Sequence, residues 1–194
     1  MIIYFPQNIF TDLIKNALPE KLSKRIKFQP SSLITSEILK DPNSIGLIPT
    51  LDLIRHNDLF VSKNFGISFE ESMCNSYLYY SSERKDFEDL YIIGDISSNE
   101  AVGAKLILKE LYGLELKINL LIDYTKAVGK NILSVGDINF EDDKYINGIS
   151  FAEEITEVLS LPYVNFVLAG SSDTVLKNFT DKHKHIFNKE GNKI

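Results

Sequence analysis

Leu90-Tyr91-Ile92-Ile93-Gly94-Asp95-Ile96-Ser97-Ser98-Asn99-Glu100-Ala101 opens the stretch that decides the fold, and the stretch runs on to Leu120. Leu90 to Ile93 is an apolar run closed by Gly94-Asp95, which reads as a buried strand. From 98 to 111 the residues Ala101, Ala104, Leu108 and Leu111 recur on one helical face, and Gly113 stands where a helix would stop in left-handed backbone. Leu114 to Leu120 is apolar and extended again. Strand, helix and strand in this order form a βαβ unit, whose strands pair parallel because the helix carries the chain back across the sheet.

The same alternation continues outward on both sides. Ile2 to Phe5, ended by Pro6, reads as a buried strand, and Asn8 precedes Ile9, Phe10, Leu13, Ile14 and Ala17 at helical spacing. Ile26 to Phe28 is a second strand, Leu33 to Leu39 a second helix, and Ile45 to Ile48 a strand stopped by Pro49. A brief helical piece from Leu51 to Arg55 precedes extended stretches at Leu59 to Val61 and Ser76 to Ser81. The charged run Ser82 to Asp86 is either a surface turn or the start of a new lobe. Downstream, Ile132 to Val135 is a strand closed by Gly136-Asp137, and Glu141 to Lys144 a polar loop. Phe151, Ile155, Val158 and Leu159 mark a helix ended by Pro162, and Tyr163 to Ala169 is a long apolar strand. Gly170 to Asp173 starts a loop, followed by a short helix and a polar tail. No internal repeat is visible. The fold class is α/β.

Composition narrows the function classes. The 194 residues are 44% hydrophobic and 25% charged, an ordinary globular balance, with a net charge of -6. An acidic chain lacks the clustered Lys and Arg that a nucleic-acid surface needs, so no nucleic-acid partner is expected. The basic cluster Lys182 to Lys184, with His183 and His185, reads as part of a solvated tail. The start Met1-Ile2-Ile3-Tyr4-Phe5-Pro6 lacks the features of a secretory signal, no apolar run approaches the roughly 18 residues of a membrane span, and Cys74 is the only cysteine. These features point to a cytoplasmic protein with no membrane partner and no intrachain disulfide.

Several segments, in one order, resemble the MqnA/MqnD menaquinone-biosynthesis family, the chorismate dehydratase relatives. Ser44 to Thr50 is similar to that family's strand ending in Leu-Ile-Pro, and Ser72 to Ser81 to its crossover strand, in which Ser76 keeps the family serine. Ser97-Ser98-Asn99-Glu100 stands where the family has a Ser-Arg-Thr-Ser helix start. Asn131 to Asp137 and Leu161 to Val167 are similar to two further family strands. The resemblance implies a two-lobed type II periplasmic-binding-protein-like fold with a mixed, mainly parallel sheet in each lobe. Lobe 1 would hold residues 1–75 plus 168–194 and lobe 2 residues 76–167, with a cleft between them. It implies a small-molecule carboxylate ligand, no cofactor and no metal. The implied activity is a chorismate dehydratase-like lyase; the alternative is a catalytically silent binding protein of the same fold. Family members usually continue into further C-terminal helices, and the apolar surface such helices would cover leaves room for a homo-oligomer.

The ligand-binding candidates are Ser76, Ser97, Ser98, Asn99, Glu100 and Asn8. Helix starts present unpaired N–H groups and a partial positive charge, so they hold anions without basic side chains. Asn99 and Glu100 depart from the family's Thr-Ser, and Glu100 would repel a ligand carboxylate unless it turns away. Ser97-x-x-Glu100 is also a capping-box pattern, so the pair serves either the helix end or a ligand. Asp95 and Asp137 each follow a glycine at a strand end, as turn residues or as an acid or base. Cys74 has no nearby histidine and reads as a small buried residue, and His56, His183 and His185 lack metal-ligand spacing. Tyr77, Tyr79 and Tyr80 are ring-stacking candidates, with strand alternation sending at least one into the core. Catalytic residues are not identified by any motif.

Overall fold

The computed structural model describes residues 1–70, 72–81 and 88–187, so the charged run Ser82 to Asp86 lies outside the described residues. The elements in chain order are β1 (Ile2–Pro6), α1 (Ile9–Ala17), α2 (Glu20–Ser23), β2 (Ile26–Gln29), α3 (Ser31–Lys40), β3 (Ser44–Pro49), a 3-10 turn (Thr50–Ile54), β4 (Phe60–Phe69) and β5 (Ser76–Tyr79). There follow β6 (Asp89–Gly94), α4 (Ser98–Tyr112), β7 (Lys117–Leu121), a 3-10 turn (Tyr124–Ala127), β8 (Ile132–Val135), a 3-10 segment (Asp137–Asn147), β9 (Ile149–Ser150), α5 (Phe151–Leu159), β10 (Tyr163–Gly170) and α6 (Asp173–Phe187). They form two units, Met1–Ile67 with Val164–Ile194, and Ser68–Tyr163.

Each unit holds a five-stranded mixed sheet, in the orders β2-β1-β3-β10-β4 and β7-β6-β8-β5-β9. In the first, β1 runs parallel to β2 and β3, and β10 lies antiparallel to β3. In the second, β6 runs parallel to β7 and β8, while β5 lies antiparallel to β8 and to β9. The two sheets therefore share one plan: three local strands pair parallel in the order second-first-third, and a strand arriving from the other unit inserts antiparallel beside the third. This repeat exists in topology and not in the sequence. It is the two-lobed α/β architecture that the βαβ reading and the family resemblance imply.

Burial explains why these stretches become strands. Ile3, Ile45 and Ile48 in the first sheet are fully buried, and Ile34 and Ile38 of α3 pack with Tyr4 and Ile48 on one face of it. Leu90, Ile92 and Leu133 in the second are equally buried, as is Phe151 of α5. Each such side chain contributes about 1.5–3 kcal/mol of transfer free energy.

Three elements differ from the sequence reading. β4 extends to Phe69 because Phe65, Ile67 and Phe69 face inward between exposed polar residues, an alternation that a search for apolar runs passes over. Residues 137–147 form 3-10 turns rather than an open polar loop. The third is α6, a 15-residue helix, so Lys182 to Lys184 stand on a helix and not in a solvated tail; Leu176 and Phe179, buried three residues apart, hold it down. No helix among the described residues is long and apolar enough to cross a membrane.

Candidate functional site

The ends of β6 and β8 and the start of β5 meet at one edge of the second sheet. Register sets Gly94 beside Val135, and Val135 beside Ser76. Gly94 turns the chain with φ of 110°, and the Asp95 N–H donates to the Val135 carbonyl at 3.2 Å. A Cβ at position 94 would stand 1.9 Å from that carbonyl oxygen, so glycine is required. Across the edge, the Gly136 N–H donates to the Asn75 carbonyl at 2.8 Å. The turn after β6 delivers Ser97 as the N-cap of α4. Ligands of α/β proteins bind at such edges, where parallel strands end and helices begin.

Ser97 and Glu100 form a capping box. Ser97 Oγ accepts the Asn99 N–H at 3.1 Å and donates to Glu100 Oε2 at 2.6 Å, while the Ser97 N–H donates to the same oxygen at 2.9 Å. Ser76 Oγ donates to the other oxygen, Oε1, at 3.2 Å. Glu100 is 1% exposed. Burial pushes its carboxyl above the ordinary range, against the downward pull of the Ser97 and Ser76 hydrogen bonds. The Glu100 carboxyl group thus caps the start of α4 from within the protein.

Five of the six candidates gather here. Asn99 is buried and hydrogen-bonds the Tyr163 hydroxyl, whose pKa rises well above its usual value through burial first and the Glu100 charge second. Ser98 is the first residue of α4; its Oγ is buried and has no hydrogen-bond partner among the described residues. The sixth candidate, Asn8, lies in the first unit. It caps α1 with Oδ1 accepting the Thr11 N–H at 3.0 Å, and Thr11 Oγ1 accepts the Asn8 N–H in return at 3.3 Å.

Sequence reasoning missed Asn75. Its carbonyl ties the edge together, yet its side-chain Oδ1 is buried without a partner among the described residues. An asparagine before a strand signals only a turn, so no sequence pattern marks this acceptor. Cys74 is buried, with Sγ donating to the Ser76 carbonyl at 2.8 Å, and burial pushes its thiol up, which disfavours the nucleophilic thiolate. Among the described residues no three His, Cys, Asp or Glu side chains gather as metal ligands.

A recess of about 590 Å³ opens on the opposite face of the same sheet, lined in part by Tyr79, Tyr80 and Tyr124. Four of its polar groups are engaged with one another: Tyr79 donates to Asn139 Oδ1 at 3.1 Å, and the Tyr124 hydroxyl lies 3.3 Å from Ser134 Oγ. Burial holds the Tyr79 and Tyr80 hydroxyls at about 12, so both remain neutral.

No family model and no curated protein matches the chain. Solved structures do. Protein AF1704 from Archaeoglobus fulgidus superposes with a TM-score of 0.62 at 14% identity, over 95% of this chain and 74% of that one. A candidate lipoprotein from Ruminococcus gnavus superposes with a TM-score of 0.59 at 10% identity, over 98% of this chain and 91% of that one. At these identities the likeness is one of fold.

Proposed function

We propose that the chain binds a small hydroxylated carboxylate at the edge of the second sheet formed by Asn75, Ser76 and the start of α4. The observation that carries this reading is the pair of buried, unpartnered polar atoms there, Ser98 Oγ and Asn75 Oδ1. A buried polar atom without a hydrogen bond costs about 1–3 kcal/mol, a cost that bound ligand removes. Ser98 Oγ donates to a ligand carboxylate, and Asn75 Oδ1 accepts from a ligand hydroxyl. Glu100 leaves the ligand its place because both of its oxygens are turned to three donor groups of Ser76 and Ser97. The lone, buried Cys74 suits a reducing compartment such as the cytoplasm. Thermal melts with a panel of hydroxy acids that includes chorismate test the reading. One member should raise the melting temperature in a concentration-dependent way, and Ser98→Ala should weaken that ligand about tenfold. A panel without effect removes the reading.

The second reading is a chorismate dehydratase-like lyase of menaquinone biosynthesis. It is favoured by where the family-like segments fall: Ser44 to Thr50 and Leu161 to Val167 cover the paired strands β3 and β10, and Ser72 to Ser81 and Asn131 to Asp137 the paired strands β5 and β8. Elimination of water to form an aromatic ring depends on positioning and charge stabilisation, which needs no conspicuous motif. Incubation with chorismate, followed by chromatography, decides it. Loss of substrate supports the lyase; binding without turnover leaves the first reading alone.

A further inference from the structure

We propose that the recess between α2 and α6 in the first unit binds a free, monomeric amphiphile with a single anionic head. It encloses about 410 Å³, within the range of small-molecule sites. The floor is apolar, made by Leu22, Val175 and Phe179; the rim carries Lys21, Arg25, Lys182 and His183. Helical spacing builds this arrangement. Val175, Asn178, Phe179, Lys182 and His183 share one face of α6, with the His183 ring 5.0 Å from that of Phe179.

Charge is the argument. Among the described residues no carboxylate lines the recess, although the chain has 27 acidic against 21 basic residues. Elsewhere lysines pair with acids, as Lys40 does with Glu37, Lys109 with Glu115, and Lys144 with Glu141. Lys21, Arg25 and Lys182 have no such partner among the described residues. The neighbouring Glu20 is turned to another cation, holding Lys24 at 2.5 Å. Three unpaired cations around an apolar floor leave both the charge and the floor to be satisfied by one molecule. An inorganic anion would leave the floor wet, and a neutral alcohol would leave the Lys21, Arg25 and Lys182 charges unanswered.

Isothermal titration calorimetry on the full chain at low salt tests this, with decanoate as probe and decanol, acetate and phosphatidylglycerol vesicles as comparisons. Decanoate is expected to bind at one site, with decanol and acetate weaker by about tenfold or more. The double variant Arg25→Glu, Lys182→Glu should lose about tenfold for decanoate, while Lys105→Glu in the other unit leaves it unchanged. Arg25→Gln with Lys182→Gln is the substitute if the double charge reversal does not fold, and circular dichroism checks both. The proposal is overturned by no heat from decanoate up to about 1 mM, by equal binding of decanol or acetate, by vesicle binding without decanoate binding, or by a folded double variant that binds as wild type.

Discussion

Glu100 places a carboxylate in a fully buried cap, and its charge state couples folding to pH. Its folded pKa is raised by burial. A raised carboxyl contributes stability that is fully present below the unfolded value, about 4.3, and is lost as pH rises through the folded value. Replacing Glu100 by Gln removes that loss. Urea melts should therefore show the stability difference between variant and wild type moving in the variant's favour as pH rises from about 4.3. A gap that does not change with pH would refute the assignment. The cap itself was legible, because Ser97-x-x-Glu100 is a local pattern with a local cause. The unpartnered atoms of Ser98 and Asn75 were not equally legible: Ser98 stood out only as a helix-start serine, and Asn75 not at all. Whether one oxygen lacks a partner depends on what the rest of the unit packs against it.

At the scale of the element, the turn after β6 is set by Gly94, since both its φ and the nearby Val135 carbonyl exclude a side chain. Gly94→Ala should cost about 3 kcal/mol or more in a denaturant melt. A loss within about 0.5 kcal/mol, the range of an ordinary surface change, would mean that the turn relaxes. Between helices, the Tyr112 hydroxyl of α4 donates to Glu154 Oε2 of α5 at 2.7 Å, and Glu154 is buried. Tyr112→Phe leaves that carboxylate short of a donor and should cost about 1–3 kcal/mol. The βαβ unit from Leu90 to Leu120 was readable because its apolar runs and its C-terminal glycine, Gly113 with φ of 65°, are each written in consecutive residues. β4 and α6 were not, because half their residues are polar and their inward halves emerge only against β10 and the first-unit core.

The whole molecule carries two cores, one in each unit, and this organisation makes a prediction of its own. Ile34→Ala in the first core and Ile92→Ala in the second each remove a fully buried side chain, at about 2–5 kcal/mol. Hydrogen exchange should show amide protection falling mainly within the unit that carries the substitution, as expected of separate cooperative units. Equal loss in both units would mean a single cooperative fold. The repeated strand order could not be read from the sequence, since topology constrains which strands pair while leaving their side chains free to diverge.

The central claim, that the edge beside α4 is kept for a ligand, is tested most directly by a urea melt of ligand-free Ser98→Ala. A hydroxyl with no hydrogen-bond partner among the described residues adds only its desolvation cost to the folded state. Its removal is expected to leave stability unchanged or to raise it by up to about 1 kcal/mol. A loss of about 1 kcal/mol or more, as for a broken internal hydrogen bond, would contradict the claim.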